Sequence, residues 1–287
     1  MQWMCCCVGF ALVRRKQGGA TDFVVYLRRI RGCRAARRFV KIYVWALVAV
    51  LVLPGATMMA QTQDSAAAAV AGVAKMEFEN EQIRVMRVSY APHQKSAMHS
   101  HAGRLVVTLT KNHTRSIAPD GTTKTSERAA HEYYWGDAVT HQIENLSDER
   151  MENIEIEFKL SKAAGVEVKP PSREAPRGTG TENDPVPVER EPHHHVVYEN
   201  QYLRLLDVVV LAGEMTLFHT HSLDNVGVLL ADTTLKNQNP GEDWTERPIT
   251  HGSVGFRAGT KTPYTHRIMN TGAVVLHVMD VEILPAS

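Results

Sequence analysis

Six histidines in this chain fall into two sets of identical pattern, and neutral imidazole is the side chain that most readily offers a nitrogen lone pair to a transition metal near pH 7. His99-Ser100-His101 and His219-Thr220-His221 each place two imidazoles at i and i+2. Successive side chains of a strand alternate between faces, so that spacing puts both rings on one side. A third imidazole from a distant strand, His141 for the first pair and His266 for the second, closes a facial set of three nitrogens with positions left open for water or substrate. A lone HxH is more often a surface pair, but here the whole constellation recurs.

The recurrence extends beyond the histidines. At an offset of 120 residues, Phe78-Glu79-Asn80 falls on Tyr198-Glu199-Asn200, Arg84 on Arg204, Val88 on Val208, and His99 and His101 on His219 and His221. After a five-residue insertion, His141 and Asn145 fall on His266 and Asn270. Many matches at one offset mark a duplicated domain. Ile83 to Val88, Ile154 to Phe158 and Val278 to Ile283 alternate as strands do, and Leu105 to Leu109 and Val226 to Leu230 are short apolar runs. Turn residues such as Pro119-Asp120-Gly121 and Asn239-Pro240-Gly241 separate such segments, and no long amphipathic helix is evident beyond position 75. The pattern predicts an all-β chain whose strands close into barrels or jelly rolls, which protects sheet edges. Glu79-Asn80 and Glu199-Asn200 read as repeated turns, and Tyr133-Tyr134-Trp135, Phe218 and Phe256 as barrel core.

At the histidines the sequence resembles the cupin superfamily, specifically its two-domain members, the bicupins, over nearly all of residues 76 to 285. Gly213-Glu214-Met215-Thr216-Leu217-Phe218-His219-Thr220-His221 fits the family's first motif, a glycine, five residues and HxH. Pro263-Tyr264-Thr265-His266-Arg267-Ile268-Met269-Asn270 is similar to the end of the second. The resemblance implies two tandem jelly-roll barrels, with His99, His101 and His141 as metal ligands in one and His219, His221 and His266 in the other. The chain departs from the pattern where cupins commonly carry a glutamate ligand four to five residues after HxH: those places hold Leu105 and Val106, and Asn225 and Val226. Asp224 stands one position early, as a substitute ligand or a turn cap. His93 occupies the motif glycine's place in the first copy, and the loop from Trp135 to His141 lacks the proline, which makes the first site the less secure of the two.

Composition divides the chain. Ten of its 32 basic residues and one of its 31 acidic residues precede Gln61, leaving 22 against 30 in the remainder, a formal charge of about −8 that argues against nucleic acid as a partner. All four cysteines, Cys5, Cys6, Cys7 and Cys33, also lie there, so the remainder contains no thiolate nucleophile or ligand. Arg37 to Lys41, the uncharged run Ile42 to Leu53, and Pro54 to Gln61 have the three parts of a secretion signal, with cleavage expected near Ala60. The apolar run is too short to span a bilayer, so no stable membrane anchor is expected after cleavage, and the product is read as exported, periplasmic or secreted. Residues 1 to 36 show no clear period. The organisation expected is therefore an extension and signal (1–60), a flexible leader (61–75), barrel 1 (76–160), a proline-rich linker (161–194) and barrel 2 (195–287).

Three neutral imidazoles leave a divalent transition metal (iron, manganese, zinc or nickel) fully charged and coordinatively open. The expected function is a metal-dependent enzyme, dioxygenase-like or isomerase-like, acting on a small molecule; the alternative is a non-catalytic exported protein that binds a small ligand or metal. Pairing of barrels through their edges leaves a homodimer open. His193-His194-His195 is discounted as a metal tract, because three adjacent imidazoles on one extended strand cannot face the same ion. His131 and His251 also recur at the 120-residue offset, as strand-end histidines or pocket groups.

Overall fold

The computed structural model describes residues 10–17, 20–27, 73–159 and 178–285. Two strands, β1 (Phe10–Gln17) and β2 (Ala20–Leu27), pair antiparallel within an N-terminal unit, in a stretch where the sequence has no evident period. The expected signal segment and most of the leader lie outside the described residues.

The first barrel runs through β3 (Ala74–Glu79), β4 (Ile83–Tyr90), β5 (His99–His101), β6 (Arg104–Thr108), β7 (Asn112–Ile117), β8 (Thr123–Arg128), β9 (Tyr133–Gly136), β10 (Val139–Asn145) and β11 (Met151–Phe158). Its sheets have the orders β5-β10-β7-β8 and β3-β4-β11-β6-β9. The second barrel runs through β12 (Val186–Pro187), β13 (His194–Glu199), β14 (Leu203–Val210), β15 (His219–His221), β16 (Asp224–Leu229), β17 (Thr233–Gln238), β18 (Thr245–Ile249), β19 (Val254–Ala258), β20 (Tyr264–Asn270) and β21 (Leu276–Ile283). Its sheets, β12-β15-β20-β17-β18 and β13-β14-β21-β16-β19, repeat the first barrel's orders with one addition. That addition, β12, pairs parallel with β15 and comes from the stretch read as linker. From Gly178 onward the expected linker is thus structured: a 3-10 turn at Val188–Arg190 packs Val188 into the second barrel's core, because alternating Val186 and Val188 supply an apolar face that prolines at an edge do not disrupt.

Polar and apolar faces are distributed in an unexpected sense. In β11, Ile154, Ile156 and Phe158 point away from their own barrel and join Ile83, Val85, Leu105, Val107 and Leu109 in a seam against the other barrel. The equivalent residues of barrel 2, including Leu203, Leu205, Val226, Val281 and Ile283, complete one continuous core. The alternate residues Asn153, Glu155 and Glu157 are also buried, and Asn153 and Glu155 line the first barrel's interior cavity. Tyr133, Trp135 and Phe256 pack against this core, while Tyr134 and Trp135 also line the cavity of barrel 1 and Phe256 that of barrel 2. Trp135 stacks on Tyr202 and Phe78 on Phe256, each pair crossing between barrels.

The repeated turns are built by asparagine side chains that mimic the backbone. Asn80 Oδ1 accepts from the amides of Gln82 and Ile83, and Asn200 Oδ1 from those of Tyr202 and Leu203. Asn145 and Asn270, the last members of the repeated pattern, do the same at the loops before β11 and β21. Fully buried Asn270 donates to the carbonyls of Val210 and Val274 and accepts from Thr233 and the Gly272 amide.

Candidate metal centres

The ladder register brings the imidazoles together. β5 pairs with β10 so that His99 lies opposite His141, and β15 pairs with β20 so that His219 lies opposite His266. Directly opposed residues bring their Cβ atoms within about 5.5 Å, and the i+2 partner follows on the same face. In barrel 1 the three ring centroids stand 4.7, 5.0 and 5.3 Å apart, with all three histidines buried. In barrel 2, His219, His221 and His266 are 4.6 to 5.2 Å apart by the same measure.

A fourth imidazole, discounted from the sequence, enters the second centre. His194 lies 4.5 Å from His219, ring to ring, and its ligand atom falls with those of His219 and His221 within 4.8 Å. Alternation along β13 turns His194 inward while His195 is exposed, so one member of the triplet reaches the site without the others. The signal in the sequence is this very alternation, joined to the buried Glu191 three residues earlier. Glu191 accepts from His194 Nδ1 at 2.6 Å and from the amides of His193 and Leu217.

Outward contacts orient five of the six rings, whereas His221 Nδ1 is buried without a hydrogen bond, 3.5 Å from Asp280. His99 Nδ1 donates to the Ala97 carbonyl at 2.8 Å and His219 Nδ1 to the Leu217 carbonyl at 2.9 Å. His101 Nδ1 donates to Glu157 at 2.6 Å, His266 Nδ1 to Asn237 Oδ1 at 2.6 Å, and His141 Nδ1 meets the Ser116 hydroxyl at 3.1 Å. Where Nδ1 donates, as in His99, His101, His219 and His266, the lone pair resides on Nε2, the arrangement that orients metal-binding histidines. The Nε2 atoms of His141 and His219 are buried without a hydrogen-bond partner, and those of His221 and His266 face each other at 3.3 Å. Buried lone pairs left without donors fit a cation.

Electrostatics favour the neutral form of His141, His219, His221 and His266. Burial, reinforced by Arg104 and the neighbouring imidazoles, pushes His141 down to about 3. Burial first and adjacent histidines second hold His219, His221 and His266 below the ordinary imidazole value. The carboxylates nearby diverge. Glu155 is buried, which favours its neutral form, but Arg104 and the imidazoles outweigh this and keep it below the usual range; Arg104 Nε donates to it at 2.9 Å. Asp280, its counterpart, has the Asn225 amide at 2.6 Å in place of a guanidinium, and burial beside Glu282 pushes it up to about 7. The cause is one exchange: Arg104 stands opposite Glu157 on β11, and Asn225 opposite the equivalent Glu282 on β21. These two residues also occupy the part of the strand where a fourth, carboxylate ligand was sought, so neither centre has one there. Asp224 instead clasps a loop, exchanging hydrogen bonds with Thr260.

The first centre is as well formed as the second, although its loop departs from the motif. His93 adopts φ 56°, the left-handed conformation that Gly213 takes at φ 83°, so the tight turn survives without glycine. Each centre opens on a cavity, of about 270 Å³ in barrel 1 and about 700 Å³ in barrel 2.

No family model and no curated protein matches this chain. Among solved structures, it is similar to a cupin domain from Bordetella pertussis Tohama I (26% identity, 31% of this chain and 93% of the other, TM-score 0.29). It is also similar to AerE from Microcystis aeruginosa (14%, 74% and 98%, TM-score 0.47) and to an oxalate decarboxylase from Lactobacillus farciminis (14%, 76% and 85%, TM-score 0.46). Two jelly rolls of the same strand order, each carrying HxH on one strand and a third histidine directly opposite on the next, are the arrangement that the sequence's resemblance to bicupins implies.

Proposed function

We propose that the chain is an exported, metal-dependent enzyme that turns over a small anionic molecule at the three-histidine centre of barrel 1. The observation that carries this reading is a pair of orphaned groups in one cavity: His141 Nε2 and Arg104 Nη1 are both buried without partners, and both residues line the same space of about 270 Å³. An unpaired guanidinium nitrogen beside inward lone pairs suits a ligand carrying an oxyanion, which a bound cation and the arginine would share. A divalent ion held by His99, His101 and His141 supplies Lewis acidity and open coordination positions. The protein's own groups then orient the substrate through Arg104 and keep Glu155 ionised against it. Barrel 2, with its four imidazoles, is read as a second metal centre with fewer open positions. The pattern of basic residues and apolar run before Gln61 supports export with no anchor after cleavage, and the acidic excess of the remainder argues against a nucleic-acid partner.

A second reading, a binding protein without turnover, draws on the missing carboxylate ligand in both barrels. Metal content of the purified protein, followed by oxygen uptake and isomerisation assays with small enols and 2-oxo acids, separates the two. The enzyme reading expects turnover that His141→Ala abolishes and Arg104→Gln weakens mainly through KM. Tight metal and anion binding with no turnover would leave the binding protein.

A further inference from the structure

The two barrels differ in what fills the walls of their cavities. In barrel 1, Val106 on β6 lies directly opposite Tyr134 on β9, and the Tyr134 ring lines the cavity with the Arg128 guanidinium 4.0 Å from its centroid. Val106 also opposes Glu155 on β11, as Gly227 opposes Asp280 on β21, so the two positions are equivalent. Across the ladder from Gly227 stands Gly255, so a valine–tyrosine pair in one copy is a glycine–glycine pair in the other. Both glycines line the barrel 2 cavity. A Cβ added at Gly255 would have nothing within 4 Å, and one at Gly227 would touch only Val278, at 3.8 Å. Neither residue has the left-handed backbone that would demand glycine. Glycine inside a strand weakens it and gives up a packing partner, and it is found where a ligand must approach the backbone closely. Two of them side by side leave a flat floor of bare backbone in the larger of the two cavities, about 700 Å³ against about 270 Å³.

The rest of the wall changes with the floor. Ladder register places Leu235, Ile249 and Val278 of barrel 2 where barrel 1 has Thr114, Arg128 and Asn153, and all six line their cavities. A hydroxyl, a guanidinium and an amide thus give way to aliphatic side chains, which favour an apolar occupant. Charge is kept at exposed positions. Arg257 lies two residues along β19 from Gly255, on the same face, with its guanidinium 4.8 Å from the centroid of the Tyr264 ring. With Arg247 it sets two arginines against one lining acid, Asp280, a balance that favours an anion.

We propose that barrel 2 binds a planar anion with an apolar body, an aromatic carboxylate in chemical class, its ring laid on the Gly227–Gly255 floor and its acid group toward Arg257. The glycine pair is the determinant that separates its ligand from that of barrel 1. The site requires neither a bound metal nor turnover, so it does not rest on the function proposed for barrel 1.

The test is a fluorescence titration of the full chain, as purified, with 2-naphthoate. The unaltered chain should bind it saturably, and acetate, which lacks the ring, should not displace it at equal concentration. Gly255→Tyr restores the side chain of barrel 1 in open space; it should weaken naphthoate by about 10-fold or more, because the phenol takes the ring's place, while the thermal melt is kept or raised. Gly227→Ala obstructs the floor with a single carbon and should weaken binding in the same direction. Arg257→Gln should weaken naphthoate more than neutral 2-naphthol. His141→Ala, confined to barrel 1, should leave naphthoate affinity unchanged. Naphthoate binding in a chain that shows no turnover would refute the proposed enzyme and support this site. Absence of saturable binding by the unaltered chain, or equal affinity in folded Gly255→Tyr and Gly227→Ala variants, would overturn it.

Discussion

Acidification of the metal-free protein offers a direct measure of how firmly barrel 1 withholds its imidazoles from protons. His141 is pushed from its ordinary 6.5 to about 3 by burial and by Arg104. A depressed histidine destabilises the fold wherever the unfolded chain takes up the proton and the folded chain does not, so stability falls as pH drops through 6.5 and levels only below the folded value. At about pH 5 the unfolded imidazole is almost fully protonated and the folded one almost fully neutral. The difference costs about 2 kcal/mol for this one residue, a figure insensitive to a unit's change in the folded value. His99 is depressed in the same direction, by burial, and adds to the loss. Urea unfolding of chelator-treated protein at about pH 7.5 and about pH 5 should therefore show a drop in stability that shrinks by about 2 kcal/mol in His141→Gln. Identical pH dependence in the two proteins would mean that His141 takes up protons freely, and the inward, desolvated placement argued for it would be wrong.

Other expectations follow from single contacts. Glu191→Gln should weaken metal binding in barrel 2 by about 10- to 100-fold while leaving barrel 1 unaffected, as read by metal titration, because the carboxylate behind His194 is lost. Metal uptake by barrel 2 near pH 7 should release protons from Asp280, since a cation beside His221 favours the ionised carboxylate; calorimetry in buffers of differing ionisation heat would detect it, and Asp280→Asn should reduce the release. His93→Gly should raise stability by roughly 0.5–1 kcal/mol by relieving the left-handed backbone, partly offset by the greater freedom of glycine in the unfolded chain, with thermal melts as the readout. Asn270→Ala should lower the stability measured by urea unfolding by about 2 kcal/mol or more, since the fully buried amide loses four hydrogen bonds together and the buried Val210 carbonyl is left without its donor.

The barrels and their histidines are legible in the sequence because duplication repeats every constraint: a second copy at a fixed offset separates positions held by geometry from chance. The inward side of β11 is not. Ile154-Glu155-Ile156-Glu157 alternates as an amphipathic strand should, but alternation alone does not say which face meets the cavity, and here the acids do because a second barrel covers the isoleucines. His194 escapes notice for a related reason. Its triplet fails as a unit, whereas a strand presents every second residue to one side, and one imidazole is enough. The stretch after Gly178 reads as linker from its prolines, yet edge strands tolerate proline.

The seam takes eight buried residues from each half. Were the halves separate chains, each would need a partner to cover that face, and the symmetry of such a pair would force any substitution to occur twice. Covalent fusion makes the encounter intramolecular and lifts that constraint. One half can keep an arginine beside three imidazoles while the other gains a fourth imidazole and a neutral amide, so a single gene can evolve two unlike pockets on one shared foundation.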